Sequence, residues 1–302
     1  MSAERTYLVG LIGSGIGPSL SPALHEREAE RLGLRYVYRL VDLDGTGASP
    51  GPPGPGEAAP ERAGALVRAA GELGFDGLNI THPCKQAVIP HLDELAPQAE
   101  ALGAVNTVVF DGGRAIGHNT DVTGFAASFA RGLPDAGIEE VVLLGAGGAG
   151  AAVAHAMLGL GTGHLTVVDA EAGRAAGLAE SLTRHFGAGR ATAAGLREAG
   201  ALLARADGLV HATPTGMAAH PGLPVPAGAL RPGLWVAEVV YRPLETELTR
   251  AARAAGCRVL DGGGMAVFQA ADALRLFTGL EPDSRRMLAD FAGLIGAPGA
   301  HL

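Results

Sequence analysis

The sequence predicts a two-domain α/β protein whose second half is a doubly wound parallel sheet. Three observations carry this. The chain has 302 residues, enough for two domains and a large core. From residue 139 onward, apolar runs of strand length alternate with helical stretches, the pattern of parallel strands joined by crossover helices. The first of those strands runs straight into a Gly-rich turn that opens a helix. Composition narrows the class further. Hydrophobic residues make up 47% and charged residues 18%, as in ordinary globular enzymes. The formal charge is −8, from 23 basic and 31 acidic residues, which argues against a nucleic-acid partner. No run approaches the roughly 18 apolar residues of a membrane span, so no membrane role is expected. MSAERTYLVG lacks the basic-then-apolar layout of a secretory signal. Two cysteines, Cys84 and Cys257, suit a reducing compartment and not a disulfide framework, so the expected location is cytoplasmic. No Cys/His cluster has zinc spacing, and no metal is expected.

In chain order, TYLVGLIG (6–13) is a buried strand. Ser21 followed by Pro22 predicts a helix start, with a hydroxyl cap and Pro at the first helical position. Leu24, Ala29 and Leu32 give that helix an apolar side. YVYRLVDL (36–43) is a second strand. Residues 44–60 are too rich in Gly and Pro for a regular element and are expected to form a mobile surface loop. ERAGALVRAAGELG (61–74) is helical and GFDGLNI (74–80) a short strand. A second unit begins near 122, with strand, turn and helix over 139–161, a strand at 164–170, and helices at 172–187 and 196–208. Strands at 208–214 and 234–241 and a helix at 245–256 follow, then two C-terminal helices.

In a chain with 47 Gly a Gly-rich hexapeptide alone says little, so its context decides. Gly145-Ala146-Gly147-Gly148-Ala149-Gly150 has a strand before it and a helix after it. The first Gly allows a tight bend, the second lets backbone approach a pyrophosphate, and the last permits close helix packing. The helix N-terminus offers free N–H groups to the anion. Asp169 ends the next strand, at the spacing of the acidic residue that meets a ribose 2′-hydroxyl. This predicts a Rossmann-type dinucleotide domain, with NAD favoured over NADP because the carboxylate would repel a 2′-phosphate. Arg174 works the other way, since it could neutralise that phosphate or stack on adenine. The alternative is a structural βα turn with Asp169 as a cap.

A second group of residues stands out by composition. Of the 23 basic residues only Lys85 is Lys, and the three Asn (Asn79, Asn106, Asn119) lie close to it in sequence. GC-rich coding depletes both residue types, so a Lys that stays is a candidate for work Arg cannot do. An ammonium can release its proton when desolvated, whereas a guanidinium effectively cannot. Ser19-Leu-Ser21-Pro, Asn79-Ile-Thr81-His-Pro-Cys-Lys85 and Gly117-His-Asn119-Thr-Asp121 concentrate polar residues that packing does not require. Each alone has a plain reading: Ser21 as a cap, Asp121 as a cap of the following helix, Lys85 as a solvated charge. Together they describe a site.

GLNITHPCKQAVIP, ALGAVNTVV, GHNTDVTGF, GAGGAG, HATPTGM, VVYRPLETEL and GMAVFQAADALRLFTG, in that order, resemble the hallmark blocks of the shikimate/quinate dehydrogenase family over nearly the whole chain. The resemblance implies a substrate domain over 1–121, completed by C-terminal helices within 266–302, and a dinucleotide domain over 122–265. It implies that Ser19 and Ser21 bind the substrate carboxylate, with Tyr241 near that end, and that Thr81, Asn106 and Gln269 bind ring hydroxyls. Lys85 and Asp121 would be the catalytic pair. Gly145, Ala146, Gly147, Gly148, Ala149, Asp169, Arg174, Thr213, Val239 and Gly262 would bind the cofactor. His82, His118 and His211 are neighbours of these motifs and not catalysts. Cys84 stands where the family often has an aromatic residue and is given no nucleophilic role.

The implied reaction is hydride transfer between a nicotinamide cofactor and the ring C3 hydroxyl or carbonyl of shikimate or quinate, a step tied to aromatic amino acid biosynthesis. The partner is a small cyclic polyhydroxy carboxylic acid, with a homodimer left open. Val168-Asp169-Ala170-Glu171 resembles the NAD-using quinate/shikimate branch, where Ser21 stands in place of a frequent Thr and weighs against quinate. An aminoshikimate-pathway dehydrogenase and a catalytically idle NAD(P)-binding protein are the alternatives. Retention of Lys85 and Asp121 weighs against the idle one.

Overall fold

The structure is a computed structural model that describes residues 5–44 and 59–296. Most of the Gly/Pro-rich stretch expected to be a mobile loop, residues 45–58, lies outside the described residues. The chain divides into two compact units. One runs up to Thr120 and resumes from Gln269, and the other is Asp121–Phe268.

The first unit contains β1 (Thr6–Gly13), α1 (Ser21–Arg31), β2 (Arg35–Asp42), α2 (Ala59–Glu72), β3 (Gly77–Ile80), β4 (Glu94–Leu95), α3 (Pro97–Leu102), β5 (Thr107–Asp111) and β6 (Arg114–His118). Its six-stranded sheet has the order β2-β1-β3-β5-β6-β4. Strand β5 runs antiparallel to both its neighbours, and the other pairings are parallel. β1 is buried almost along its length because both faces of the sheet are covered. Ile12, Leu78 and Ile80 pack with Val67 and Ala70 of α2 on one side. Val9, Leu11 and Tyr38 pack with Ala273 and Phe277 on the other. A Cβ at Gly77 would lie 2.2 Å from the Phe277 ring, so only Gly lets that helix sit so close.

The second unit begins with α4 (Thr120–Gly132) and continues through β7 (Glu140–Leu144), α5 (Gly148–Gly159), β8 (His164–Asp169), α6 (Ala172–Phe186) and β9 (Ala191–Gly195). It then runs through α7 (Ala199–Leu203), β10 (Gly208–His211), β11 (Trp235–Glu238), α8 (Glu247–Ala254) and β12 (Arg258–Leu260). Helix α9 (Gly263–Thr278) starts in this unit and ends in the first, where α10 (Ser284–Gly296) follows. The sheet is parallel throughout, in the order β12-β11-β10-β7-β8-β9. Counted within the unit this is the doubly wound 3-2-1-4-5-6 arrangement, with its switch point between β7 and β10. β10 and β11 are buried at every position, as strands covered on both faces require. Among the described residues no helix is long and apolar enough to cross a membrane.

Several local expectations are corrected. Ser21 is not the cap of α1. Leu20 occupies that position with no side-chain capping bond, and Ser21 is the first helical residue. The helix predicted at 196–208 is a 3-10 turn, Leu196–Glu198, followed by a helix of only five residues. Helix α2 starts at Ala59, inside the stretch read as loop, and β3 starts at Gly77, not at 74. Strands β4, β5, β6, β9 and β12 had no sequence expectation.

Candidate active site

The candidate residues fall into two groups, one in each unit. In the first unit they gather where β1 and β3 end, β5 begins and β6 ends. Main-chain bonds hold these segments together. Ser14 N–H donates to His82 O (3.0 Å), Thr81 N–H to Ile12 O (2.9 Å), Ile80 N–H to Asn106 O (2.8 Å) and Val105 N–H to Lys85 O (2.8 Å). Gly13 makes the approach feasible, since a Cβ there would lie 2.3 Å from Thr81 Cγ2. Thr81, Lys85 and Asn106 are thus placed together by backbone. Ser19 and Ser21 form their own pair, with Ser19 Oγ donating to Ser21 Oγ at 3.2 Å and accepting from the Ser21 amide at 3.2 Å.

The loop before Ser19 is held by a residue that sequence reasoning missed. The buried Asp42 carboxylate accepts the amides of Gly15 (3.0 Å), Ile16 (3.1 Å) and Asp44 (3.1 Å). Gln269 lies on the part of α9 that belongs to the first unit, half-buried. Cys84 is fully buried, and burial pushes its thiol up to about 11, so it stays protonated at neutral pH.

Asn106 has a fixed orientation. Its Oδ1 accepts from the Thr120 amide (2.8 Å) and the Thr107 hydroxyl (3.0 Å), and its Nδ2 donates to Thr120 Oγ1 (3.0 Å). Thr107 Oγ1 in turn accepts from Asn79 Nδ2 (3.1 Å), and Asn79 Oδ1 accepts from the Tyr38 hydroxyl (2.8 Å). With its oxygen engaged, Asn106 has an amide N–H to offer a ligand. Sequence gives Tyr38 and Thr107 no place in a site and Asn79 no role of its own, because their coupling runs across strands and not along the chain. We expect Thr107→Val to cost about 1–3 kcal/mol in denaturant unfolding, since it removes the shared partner of two buried amides. An unchanged unfolding midpoint would show that the network is not under load.

In the second unit the Gly-rich turn behaves as its spacing predicts. Gly145 has φ +104°, and a Cβ there would meet Ala212 O at 2.6 Å. A Cβ at Gly150 would lie 2.0 Å from Gly145 O, so the helix packs against the turn with no room for a side chain. At Gly147 a Cβ would meet nothing within 4 Å. Helix α5 starts at Gly148 with Gly147 as its cap and no side-chain capping bond, which leaves its first N–H groups for an anion. Gly262 is closed like Gly150, since a Cβ there would lie 2.6 Å from Val239 O and 2.7 Å from Val240 O. An open cradle at Gly147, a bare helix N-terminus and ends of β7 and β10 in contact fit a dinucleotide.

Asp169 is engaged more fully than the sequence suggests. Its Oδ2 accepts from the Ala146 amide and its Oδ1 from the Glu171 amide, each at 2.8 Å. Arg174 lies 3.2 Å from Asp169 and 2.9 Å from Glu171, bridging both carboxylates. Burial works to raise the Asp169 pKa, but the two amides and the Arg174 guanidinium outweigh it and hold the carboxyl below its ordinary value. Asp121 is buried on the first turn of α4, directly after Thr120. Thr213 and Val239 are half-buried just beyond the ends of β10 and β11. Tyr241 belongs to this unit as well, and burial pushes its phenol up against the opposing pull of Arg242.

A doubly wound sheet with an open Gly-rich turn at its switch point, joined to a second α/β unit with clustered hydroxyl, amide and lysine groups, defines a two-unit α/β oxidoreductase of the nicotinamide-dependent kind. A family profile described as the shikimate dehydrogenase substrate binding domain matches residues 11–108. A relative from Streptomyces avermitilis, named shikimate dehydrogenase (NADP(+)), is 74% identical over 293 residues, covering 97% of each chain. A relative from Corynebacterium glutamicum, named quinate/shikimate dehydrogenase (NAD(+)), is 48% identical over 96% of this chain and 99% of its own length. The solved quinate dehydrogenase from Corynebacterium glutamicum in complex with NAD superposes with a TM-score of 0.88 at 48% identity, over 96% of this chain and 99% of that one. The chain belongs to the shikimate/quinate dehydrogenase family.

Proposed function

We propose that the chain interconverts the ring C3 hydroxyl and carbonyl of shikimate or quinate and that it prefers NAD. The observation that carries the reaction is the gathering of Thr81, Lys85 and Asn106 at one end of the first sheet, beside an Asn106 amide whose oxygen is already taken. In this reading Ser19 and Ser21 hold the substrate carboxylate, with Tyr241 near that end. Asn106 Nδ2 donates to one ring oxygen, and Thr81 and Gln269 serve the others. When bound, the nicotinamide supplies or accepts the hydride. Lys85 takes the hydroxyl proton during oxidation and returns it to the carbonyl oxygen during reduction, and Asp121 is the carboxylate that works with it. Gly145, Ala146, Gly147, Gly148 and Ala149 hold the pyrophosphate, Asp169 the adenosine ribose, Val239 and Gly262 the nicotinamide side, and Thr213 belongs to the cofactor loop.

The NAD preference rests on Asp169, ionised and set at the end of β8, with Glu171 beside it. A 2′-phosphate would meet two carboxylates, and the Arg174 guanidinium is already shared between them. The second reading, NADP, is favoured by the name of the 74% identical relative and by an Arg174 side chain that is 52% exposed, so that a phosphate could reach its guanidinium. Cofactor absorbance with shikimate and with quinate, run with NAD and NADP separately, decides between them. The expected result is NAD over NADP by at least about tenfold in kcat/KM, which requires ~1.4 kcal/mol of discrimination. Asp169→Asn should narrow the gap, mainly by improving NADP use. Equal use of both cofactors, or an NADP lead, would hand the site to the second reading.

A further inference from the structure

His211 and Glu238 have no part in the reaction above, yet both side chains are 0% exposed. Burying a carboxylate is costly unless its lone pairs find donors. Glu238 has three. Oε1 accepts from His211 Nδ1 (2.8 Å) and the Val240 amide (3.0 Å), and Oε2 accepts from the Thr246 hydroxyl (3.0 Å). Thr246 Oγ1 already accepts the Thr249 amide at 3.2 Å, which turns its proton toward Glu238. Three donors describe a carboxylate, and its partner His211 therefore carries hydrogen on Nδ1. The other ring nitrogen, Nε2, faces Thr213 Oγ1 at 2.5 Å. On a neutral ring that nitrogen is an acceptor, so the Thr213 hydroxyl donates to it. Thr213 Oγ1 also accepts the Thr215 amide at 3.3 Å.

Several connections lead from this buried pair to residues assigned to the cofactor. Thr213 Cγ2 stands 3.0 Å from where a Cβ of Gly145 would be, next to the Gly-rich turn. Val239 N–H donates to His211 O at 3.0 Å, and Gly262 closes on the Val239 and Val240 carbonyls. The ends of β10 and β11 are therefore tied by one imidazole and one carboxylate. We propose that His211, braced by Glu238, is a positioning residue that fixes the Thr213 hydroxyl with its oxygen lone pair directed to the bound dinucleotide. The proposal rests on the reading of Thr213 as a cofactor residue.

The test is the dissociation constant of NADH, and of NADPH in parallel, by fluorescence titration without substrate, together with thermal unfolding. An Asn side chain at 211 places its amide near the Nδ1 position and keeps the Glu238 bond, but it does not reach Thr213. A Gln side chain reaches the Nε2 position. Expected is a dissociation constant raised about tenfold in His211→Asn, the scale of one lost hydrogen bond to a charged or fixed partner. His211→Gln should recover most of that loss, and the KM for the acid substrate should move by less than about twofold. Thr213→Val should show the same loss, and the double variant should lose no more than either single one, the mark of a shared interaction. Unchanged affinity in His211→Asn, or losses that add in the double variant, would overturn the proposal and leave the pair a purely structural role. If the unaltered protein binds neither dinucleotide, the cofactor reading fails first and the proposal with it.

Discussion

Replacing Lys85 by Arg should cut turnover by roughly 10²–10⁴-fold, the usual worth of a positioned proton carrier, while substrate KM changes far less. Arg keeps the positive charge and much of the stem, so binding survives. Its guanidinium cannot act as a proton acceptor at neutral pH, so the transfer that must accompany hydride movement does not. Lys85 is the only Lys in the sequence, which gives the same claim a second arm. A lysine-selective acylating reagent can modify only this side chain and the α-amino group. Inactivation should track modification of the peptide carrying Lys85 in mass spectra, and shikimate should slow it. Near-normal turnover in Lys85→Arg, or full activity after complete modification of Lys85, would remove it from the mechanism.

The second large effect is expected at the Gly-rich turn, where two glycines should fail in different ways. In Gly150→Ala the new methyl would lie 2.0 Å from the Gly145 carbonyl oxygen, a backbone atom that cannot swing aside. Helix α5 must then move away from the turn. Overpacking of this kind costs about 1–3 kcal/mol of stability. A shift near 1 Å in groups that align a reacting partner costs on the order of 10²-fold in rate. Gly147→Ala adds its methyl to open space, so stability should hold while dinucleotide affinity falls. Thermal unfolding and NADH titration on both variants separate the two. A Gly147→Ala protein that binds NADH like the parent would show that the cradle is not where the pyrophosphate lies.

Much of the second unit was legible because its physics is local. Buried parallel strands such as β7 and β8 read as apolar runs, and the turn at Gly145–Gly150 uses Gly145 and Gly150 for reasons visible in the sequence. Three of the strands without an expectation are short or weakly β-forming. β9 is ATAAG, β12 is RVL and β4 is EL, and each is made a strand by the neighbour it pairs with. In the first unit, scarcity alone drew attention to Lys85 and the three Asn. What sequence could not supply was the partner of each polar group. Sequence offers Asp169 a ribose or a capping role, but its amide partner at Ala146 lies in the preceding βα turn and only the folded sheet brings it close. Asp42 looked like the end of a strand, and its use as an anchor for the loop before Ser19 depends on the β1–β2 register. Ser21 was read as a cap because Ser-Pro often starts helices, yet its hydroxyl is turned to Ser19.

Because α9 leaves the second unit and finishes on the first, the first unit is not a continuous piece of chain. Val9, Leu11 and Tyr38 are covered by Ala273 and Phe277, residues made more than 230 positions after them in synthesis. A nascent chain that has emerged only as far as Thr120 has one face of its β1 sheet covered in part, by His25 of α1, and lacks the rest of its cover. The second unit needs nothing beyond Phe268 and has its whole sheet available earlier. The order of completion on the ribosome is therefore the reverse of the order in sequence, with the later-encoded sheet closing first and the earlier one waiting with an apolar surface that invites chaperones or aggregation.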